Sequence, residues 1–181
     1  MDLVGERVRL RAPSSTDAEP LLAIRSHPEV ARFAGSPSML PSTLDRIRQS
    51  LPRRSADYIR WVVECREDLA VVGSAVAYRL DFRNRNGWLA VELGPPARWG
   101  RGYGTESLRL VTRFAFRQLG LEKVYVGALE GNERALRACR RAGYEVEAAL
   151  ERHHLLEGRL VTEYWLAAFR DSPLYAERHG G

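Results

Sequence analysis

The sequence predicts an α/β (α+β) fold, a mixed and mostly antiparallel central sheet of about six to seven strands flanked by helices. Three observations carry that expectation. Three strand-like runs follow one another between residues 58 and 93 with only short polar turns between them, the pattern of a meander. Helical and strand patterns then alternate, and a last hairpin completes the order β-α-α-β-β-β-α-β-α-β-β over about residues 5 to 169. With 181 residues, 45% hydrophobic and 28% charged, the chain is long and apolar enough for one full core, which excludes the disordered and fibrous classes.

In chain order, Arg7 to Arg11 alternates and predicts a first strand with one solvated face. Thr16-Asp17-Ala18-Glu19 has the form of a capping box and predicts a helix through Ile24. Pro28 to Phe33 and Ser42 to about Arg53 predict two short helices separated by a loop over 35–41. Tyr58 to Cys65 and Val71 to Leu80 predict strands joined at Arg66-Glu67-Asp68, and the turn Asn84-Arg85-Asn86-Gly87 leads into a strand over Trp88 to Leu93. Gly94-Pro95-Pro96 ends that strand because the prolines lack backbone donors.

Leu108, Val111, Ala115 and Leu119 recur at helical spacing, and Gly120 stands where a helix stops. Leu121 to Leu129 predicts a strand. After it Asn132 suits an N-cap, Ala135, Leu136, Cys139 and Ala142 share one apolar face, and Gly143 suits a left-handed C-cap. Glu145 to Leu156 and Leu160 to Phe169 flank Glu157-Gly158-Arg159 as a hairpin. A single domain over 1–172 with a polar tail over 173–181 is expected.

The segment Arg98-Trp99-Gly100-Arg101-Gly102-Tyr103-Gly104-Thr105-Glu106 lies between a strand and a helix. Glycines there let successive N–H groups turn inward around an anion, and the helix dipole adds to the attraction. A tight turn without a ligand is the plainer alternative. No Lys follows the glycines, so the P-loop spacing fails, and Thr105 occupies the third glycine position of the dinucleotide fingerprint.

Bulk features narrow the field further. The formal charge of +5 rests on arginine, Lys123 being the sole lysine, and suits a polyanionic ligand; no nucleic-acid-binding motif accompanies it, so nucleic acid is not expected as the main ligand. Cys65 and Cys139 read as reduced core residues, and His153-His154 lacks further ligands at metal spacing, so no metal is expected. The absence of a long apolar run or a signal-peptide core predicts a soluble cytoplasmic protein with no membrane partner.

The run from Arg98 to Glu106 closely resembles the coenzyme A pyrophosphate loop of the GNAT superfamily of N-acetyltransferases, in form nearest to the RimJ/RimL-like branch. A second segment shares the family's order: a strand, then Asn132, then a helix closing on Gly143-Tyr144 eleven residues later. The resemblance implies a GNAT-like fold with acetyl-CoA as cofactor. It implies that backbone N–H groups of Trp99, Gly100, Arg101, Gly102, Tyr103, Gly104 and Thr105 hold the pyrophosphate, with Arg98 and Arg101 assisting. Trp99 departs from the Gln or Arg usual at its position. Asn132 is implied at the pantetheine arm as well as at the helix cap, and Arg137 and Arg141 near the phosphates unless they form a solvated face.

For the chemistry, the resemblance implies that N–H groups at Leu93 and Gly94 polarise the thioester carbonyl. It makes Glu92 the candidate to take the amine proton, the alternative being a salt-bridged strand carboxylate. Tyr144 or water is the candidate proton donor to the thiolate, since Cys139 stands where many members carry Tyr. The implied acceptor is a primary amine, a protein N-terminus or a small molecule, met by direct transfer in a ternary complex. Phe33, Tyr58, Trp61, Glu151, His153, Glu163 and Tyr164 lie in the segments that recognise it in the family. A catalytically silent CoA-binding regulatory domain is the alternative, and a homodimer through an exposed sheet edge is compatible with the resemblance.

Overall fold

The structure, a computed structural model, describes residues 2–34, 43–51 and 55–176. Eight strands form one sheet: β1 (Leu3–Val4), β2 (Val8–Arg11), β3 (Tyr58–Cys65), β4 (Val71–Asp81), β5 (Asn86–Leu93), β6 (Lys123–Leu129), β7 (Glu145–Leu156) and β8 (Arg159–Phe169). Their spatial order is β1-β2-β3-β4-β5-β6-β8-β7. The strand beyond the expected six to seven is the two-residue β1, which pairs Leu3 with Leu10 and Val4 with Arg9 and is too short to show a period. All neighbours are antiparallel except β5 and β6. That pair is parallel because helix α4 (Tyr103–Arg117) carries the chain back across the sheet between them.

The two faces of the sheet differ. Val8, Leu10, Trp61, Val63, Ala75, Ala77, Leu89, Val124, Val126 and Leu166 point to one face and pack beneath α4 and α5 (Glu133–Arg141) as the main core. Within it Leu108, Val111 and Phe116 of α4 are at most 3% exposed. Each such side chain contributes about 1.5–3 kcal/mol by leaving water. Among the described residues the opposite face is covered only in part. There α1 (Ala18–Ser26) and α3 (Leu44–Ser50) bury Ala18, Leu21, Ile47 and Leu51 against Val62, and the short α2 (Pro28–Ala31) follows α1.

Helix ends follow local chemistry. Asn132 caps α5 by accepting from the Ala135 N–H at 3.2 Å, and Thr43 caps α3 through Arg46. The expected box at Thr16 to Glu19 is displaced: Asp17 reaches back to Ser14, accepting its N–H at 2.6 Å and its hydroxyl at 3.0 Å. The expected loop over 35–41, Ser42, the end of the third helix at 52–53 and the terminal His-Gly-Gly lie outside the described residues. Within the segment expected as a polar tail, Tyr175 is 6% exposed, packs edge-on to Phe116 and donates to the Ala142 carbonyl.

Asp17 also receives two bonds from Arg11, which reaches Glu64 at 2.7 Å, so the start of α1 is pinned to β2 and β3. Burial pushes the Asp17 carboxyl up, but the Arg11 guanidinium and the Ser14 donors outweigh it and leave it lowered. A carboxylate lowered on folding stabilises the fold above its unfolded value and loses that contribution as pH falls through the folded value. Wild-type protein should therefore lose stability below about pH 4, and Asp17→Asn should be less stable at pH 7 with a flatter acid profile, as read by urea unfolding across pH.

Candidate active site

The register of β5 with β6 runs only from Asn86 opposite Lys123 to Trp88 opposite Tyr125. Both strands continue, β5 to Leu93 and β6 to Leu129, and no pairing joins them there, so the sheet splits into a wedge toward their C-terminal ends. On its other side β5 stays paired with β4 to its end, and the Gly94 N–H donates to the Val72 carbonyl at 3.0 Å. Backbone groups of an antiparallel strand alternate between its two neighbours. With Gly94 turned to β4, the N–H groups of Leu93 and Val91, past the last β5–β6 rung, turn into the wedge. The Leu93 N–H thus faces the wedge, whereas the Gly94 donor is committed to the ladder. Val91 was missed, although period-two alternation from Leu93 points to it.

The glycine loop sits at the mouth of this wedge. Gly100 and Gly102 adopt φ +79° and +84°, a conformation open to few other residues, and no side chain caps α4 at Gly102. The N–H of Glu106 takes the Gly102 carbonyl, so the donors of Tyr103, Gly104 and Thr105 have no partner within the helix. Gly104 lies inside α4 and needs no unusual φ; an added Cβ would sit 3.4 Å from Leu93 and 3.9 Å from Ala138 of α5. Uncapped donors, two left-handed glycines and a helix N-terminus together fit a pyrophosphate.

Side chains around the loop divide into braces and candidates for contact. Arg98 is already engaged: its guanidinium pairs with Asp68 in the β3–β4 turn at 2.5 Å and, with the Ala70 N–H, lowers that carboxyl to about 2. Glu106 accepts from the backbone of Glu6 and Arg7 and so ties α4 to the β1–β2 turn. The Trp99 indole N–H donates to the Leu93 carbonyl at 2.9 Å, so the residue that departs from the family pattern staples the loop to the end of β5. Arg101 is exposed and, with Arg7, Arg66 and Tyr103, lines a recess of roughly 520 Å³.

Across the mouth, α5 presents Asn132 at its cap and exposed Arg137 and Arg141 along its length. Arg141 is partly structural, its carbonyl accepting from Arg109. Arg134 of the same helix touches the loop, its guanidinium lying 3.6 Å from the centroid of the Trp99 ring. Sequence reading passed over it, although Arg134 and Ala138 are one helical turn apart and Ala138 faces Gly104.

The proposed proton carriers are separated. Glu92 points to the incompletely covered face near the end of β5, and Arg25 of α1 holds its Oε1 at 3.1 Å. Tyr144 is corrected by its surroundings. It is 1% exposed beneath α4, its hydroxyl lies 2.5 Å from Thr112 Oγ1, and burial raises it well above the ordinary tyrosine range, so it packs the core outside the wedge. Burial also pushes the Cys139 thiol up to about 12, which keeps it a protonated core residue. Among the described residues no group of His, Cys, Asp and Glu is arranged to hold a metal, and no helix is long and apolar enough to cross a membrane.

The residues expected near the acceptor divide between the faces. Trp61 is 4% exposed against Phe114 of α4, and Tyr164 packs against the same core, so both leave the set. Phe33 lies under the Arg32 guanidinium and Tyr58 accepts from Arg60 at 2.6 Å, both bordering the other face. His153 and Glu163 approach each other at 3.7 Å on the last hairpin, where Glu151 is exposed.

Comparison with known proteins agrees with this geometry. Residues 7–145 match the family model described as an acetyltransferase (GNAT) domain. The uncharacterized N-acetyltransferase YoaA of Bacillus subtilis (strain 168) is 26% identical over 161 residues, spanning 86% of this chain and 89% of that protein. Among solved structures, spermidine N-acetyltransferase from Vibrio cholerae in complex with CoA and spermine superposes with a TM-score of 0.82 at 16% identity, covering 92% of this chain and 98% of that one. An acetyltransferase (GNAT family) from Bacillus anthracis superposes with a TM-score of 0.79 at 17% identity, covering 94% and 99%. The parted β5–β6 pair, the uncapped start of α4 and the match over most of the chain lead to one conclusion: this protein belongs to the GNAT acetyltransferase family, whose acyl donor is acetyl-CoA.

Proposed function

We propose that this chain is an N-acetyltransferase of the RimJ/RimL-like branch that moves an acetyl group from acetyl-CoA to a primary amine by direct transfer in a ternary complex. The observation that carries the reading is the wedge between β5 and β6, with the Leu93 N–H turned into it and the uncapped start of α4 at its mouth. Bound acetyl-CoA supplies a thioester: the amine nitrogen bonds to the carbonyl carbon, the C–S bond breaks, the nitrogen loses a proton and the thiolate gains one.

The chain's own groups then have separate tasks. N–H groups of Gly100 to Thr105 hold the pyrophosphate, and Arg134 and Arg137 add charge from α5. Asn132, while capping α5, lies beside the path of the pantetheine arm. The Leu93 N–H polarises the carbonyl from a direction fixed by the β4–β5 ladder. Glu92, held by Arg25, receives the amine proton directly or through water, and water returns one to the departing sulfur because neither Tyr144 nor Cys139 reaches it.

A CoA-binding domain without turnover is the second reading, favoured by the burial of Tyr144 and by the Arg25 partner on Glu92. A thiol-release assay with acetyl-CoA and a panel of primary amines separates the two. At least one amine is expected to raise thiol release at least tenfold over its absence, with an acetylated product by mass spectrometry. CoA binding by calorimetry with no amine-dependent release would defeat the transferase reading.

A further inference from the structure

The part of the sheet face that α1 and α3 leave uncovered carries an aromatic wall. Trp88 stacks on Tyr125 with ring centroids 5.1 Å apart, meets Trp165 edge-on at 4.8 Å and approaches Tyr78 at 6.4 Å. All four rings are only half-buried, which is unusual for so many large aromatics on adjacent central strands. Register places them together: Tyr78 lies opposite Trp88, Trp88 opposite Tyr125, and Trp165 opposite Gly127.

Gly127 is the key to this wall. It lies two residues past the last paired rung of the wedge and is exposed in the middle of the sheet. A Cβ there would stand 2.8 Å from Glu163 Oε1 and 3.9 Å from Trp88 Cζ3. The Glu163 carboxylate therefore rests on bare backbone, beside the Trp88 ring, at the lip of the wedge. Its ion-pair partners among the described residues are His153 at 3.7 Å and His154 at 3.5 Å, with no Arg or Lys. Glu92, on the same face across the wedge, is already matched by Arg25. Without an Arg or Lys partner among the described residues, Glu163 sets a carboxylate against aromatic faces, a setting that attracts an ammonium group. Arg60 of β3 faces the same side and disfavours a second positive charge on the bound amine.

We propose that the acceptor is a primary amine with a single positive charge on an apolar or aromatic body. Its ammonium sits on Glu163 above Gly127 and its body lies against Trp88, Tyr125 and Trp165. The proposal rests on the transferase reading only for the identity of this seat as the acceptor site; the seat itself is tested by binding.

The test is calorimetry on the full chain saturated with CoA at pH 8, with phenethylamine, the uncharged phenethyl alcohol and spermidine as probes. Phenethylamine should bind at least tenfold tighter than either of the others. Glu163→Gln should erase its advantage over the alcohol. So should Gly127→Ala, because the new methyl takes the place of the carboxylate end while the strand conformation accepts alanine. Equal binding of amine and alcohol, tighter binding of spermidine, or an unchanged preference in both variants would overturn the proposal. A charge preference that follows Glu163 without acetyl transfer to phenethylamine or any other amine would uphold the seat and defeat the transferase reading. Transfer to other amines without that preference would defeat the seat alone.

Discussion

Gly102→Val is expected to raise the Kd for acetyl-CoA at least a hundredfold while the protein still folds. Gly102 is the left-handed residue that starts α4, at φ +84°. An added Cβ would meet nothing nearer than the Arg7 side chain at 3.9 Å, so steric conflict with a neighbour is not the cause. The cost is in the backbone, where a β-branched residue in the left-handed region is strained by about 1–3 kcal/mol. The loop relieves that strain by rotating, and rotation turns the donors at Gly102 to Gly104 away from the anion. Losing two charge-assisted bonds of about 1.5–3 kcal/mol each gives the hundredfold loss or more. Calorimetry reads the affinity and thermal melting reads the fold; a Kd within threefold of wild type would sink the cradle.

The second large effect belongs to chemistry rather than to binding. Glu92→Gln should lower kcat about 10²-fold at saturating donor and amine, the low end of what a positioned base contributes. Acetyl-CoA affinity should stay within twofold, because the pyrophosphate cradle lies beyond β5 and uses other groups. The same substitution removes the partner of Arg25, a half-exposed pair at 3.1 Å whose loss costs little stability. A kcat within threefold of wild type would assign the amine proton to solvent and leave Glu92 as the anchor of α1.

Much of this site is legible along the chain because its parts are local. The loop from Arg98 to Glu106 is one continuous segment, and the cap at Asn132 needs only its own helix, so composition and spacing suffice for both. The other parts form between distant segments. Arg25 and Glu92 are 67 residues apart, and Arg98 meets Asp68 across 30 residues. Neither pairing has a spacing to read, so the chain alone leaves Arg98 as a phosphate candidate and Glu92 as either a base or a salt-bridged strand carboxylate. Whether Trp61 and Tyr164 face the acceptor or the core is undecided in sequence for a related reason: a strand shows its period but not which of its faces the helices cover.

Tyr144 shows the same limit from the core. Its place after Gly143 suggested a donor near the thiol, yet α4 and Thr112 close over it, and only packing decides that. Glu163 is the converse. In sequence it is one carboxylate among 23 acidic residues, and it becomes distinctive only because Gly127 on the neighbouring strand leaves room beneath it.

By itself the sequence determined the order of the strands after β1, the glycine loop and the family, because each depends on residues close together in the chain and on backbone conformations that few residue types allow. The tertiary structure alone decided where the sheet splits, which N–H groups line the split, and which carboxylates are already paired. Those depend on strand register and on contacts between segments far apart in sequence, and they take definite form only when the chain has packed.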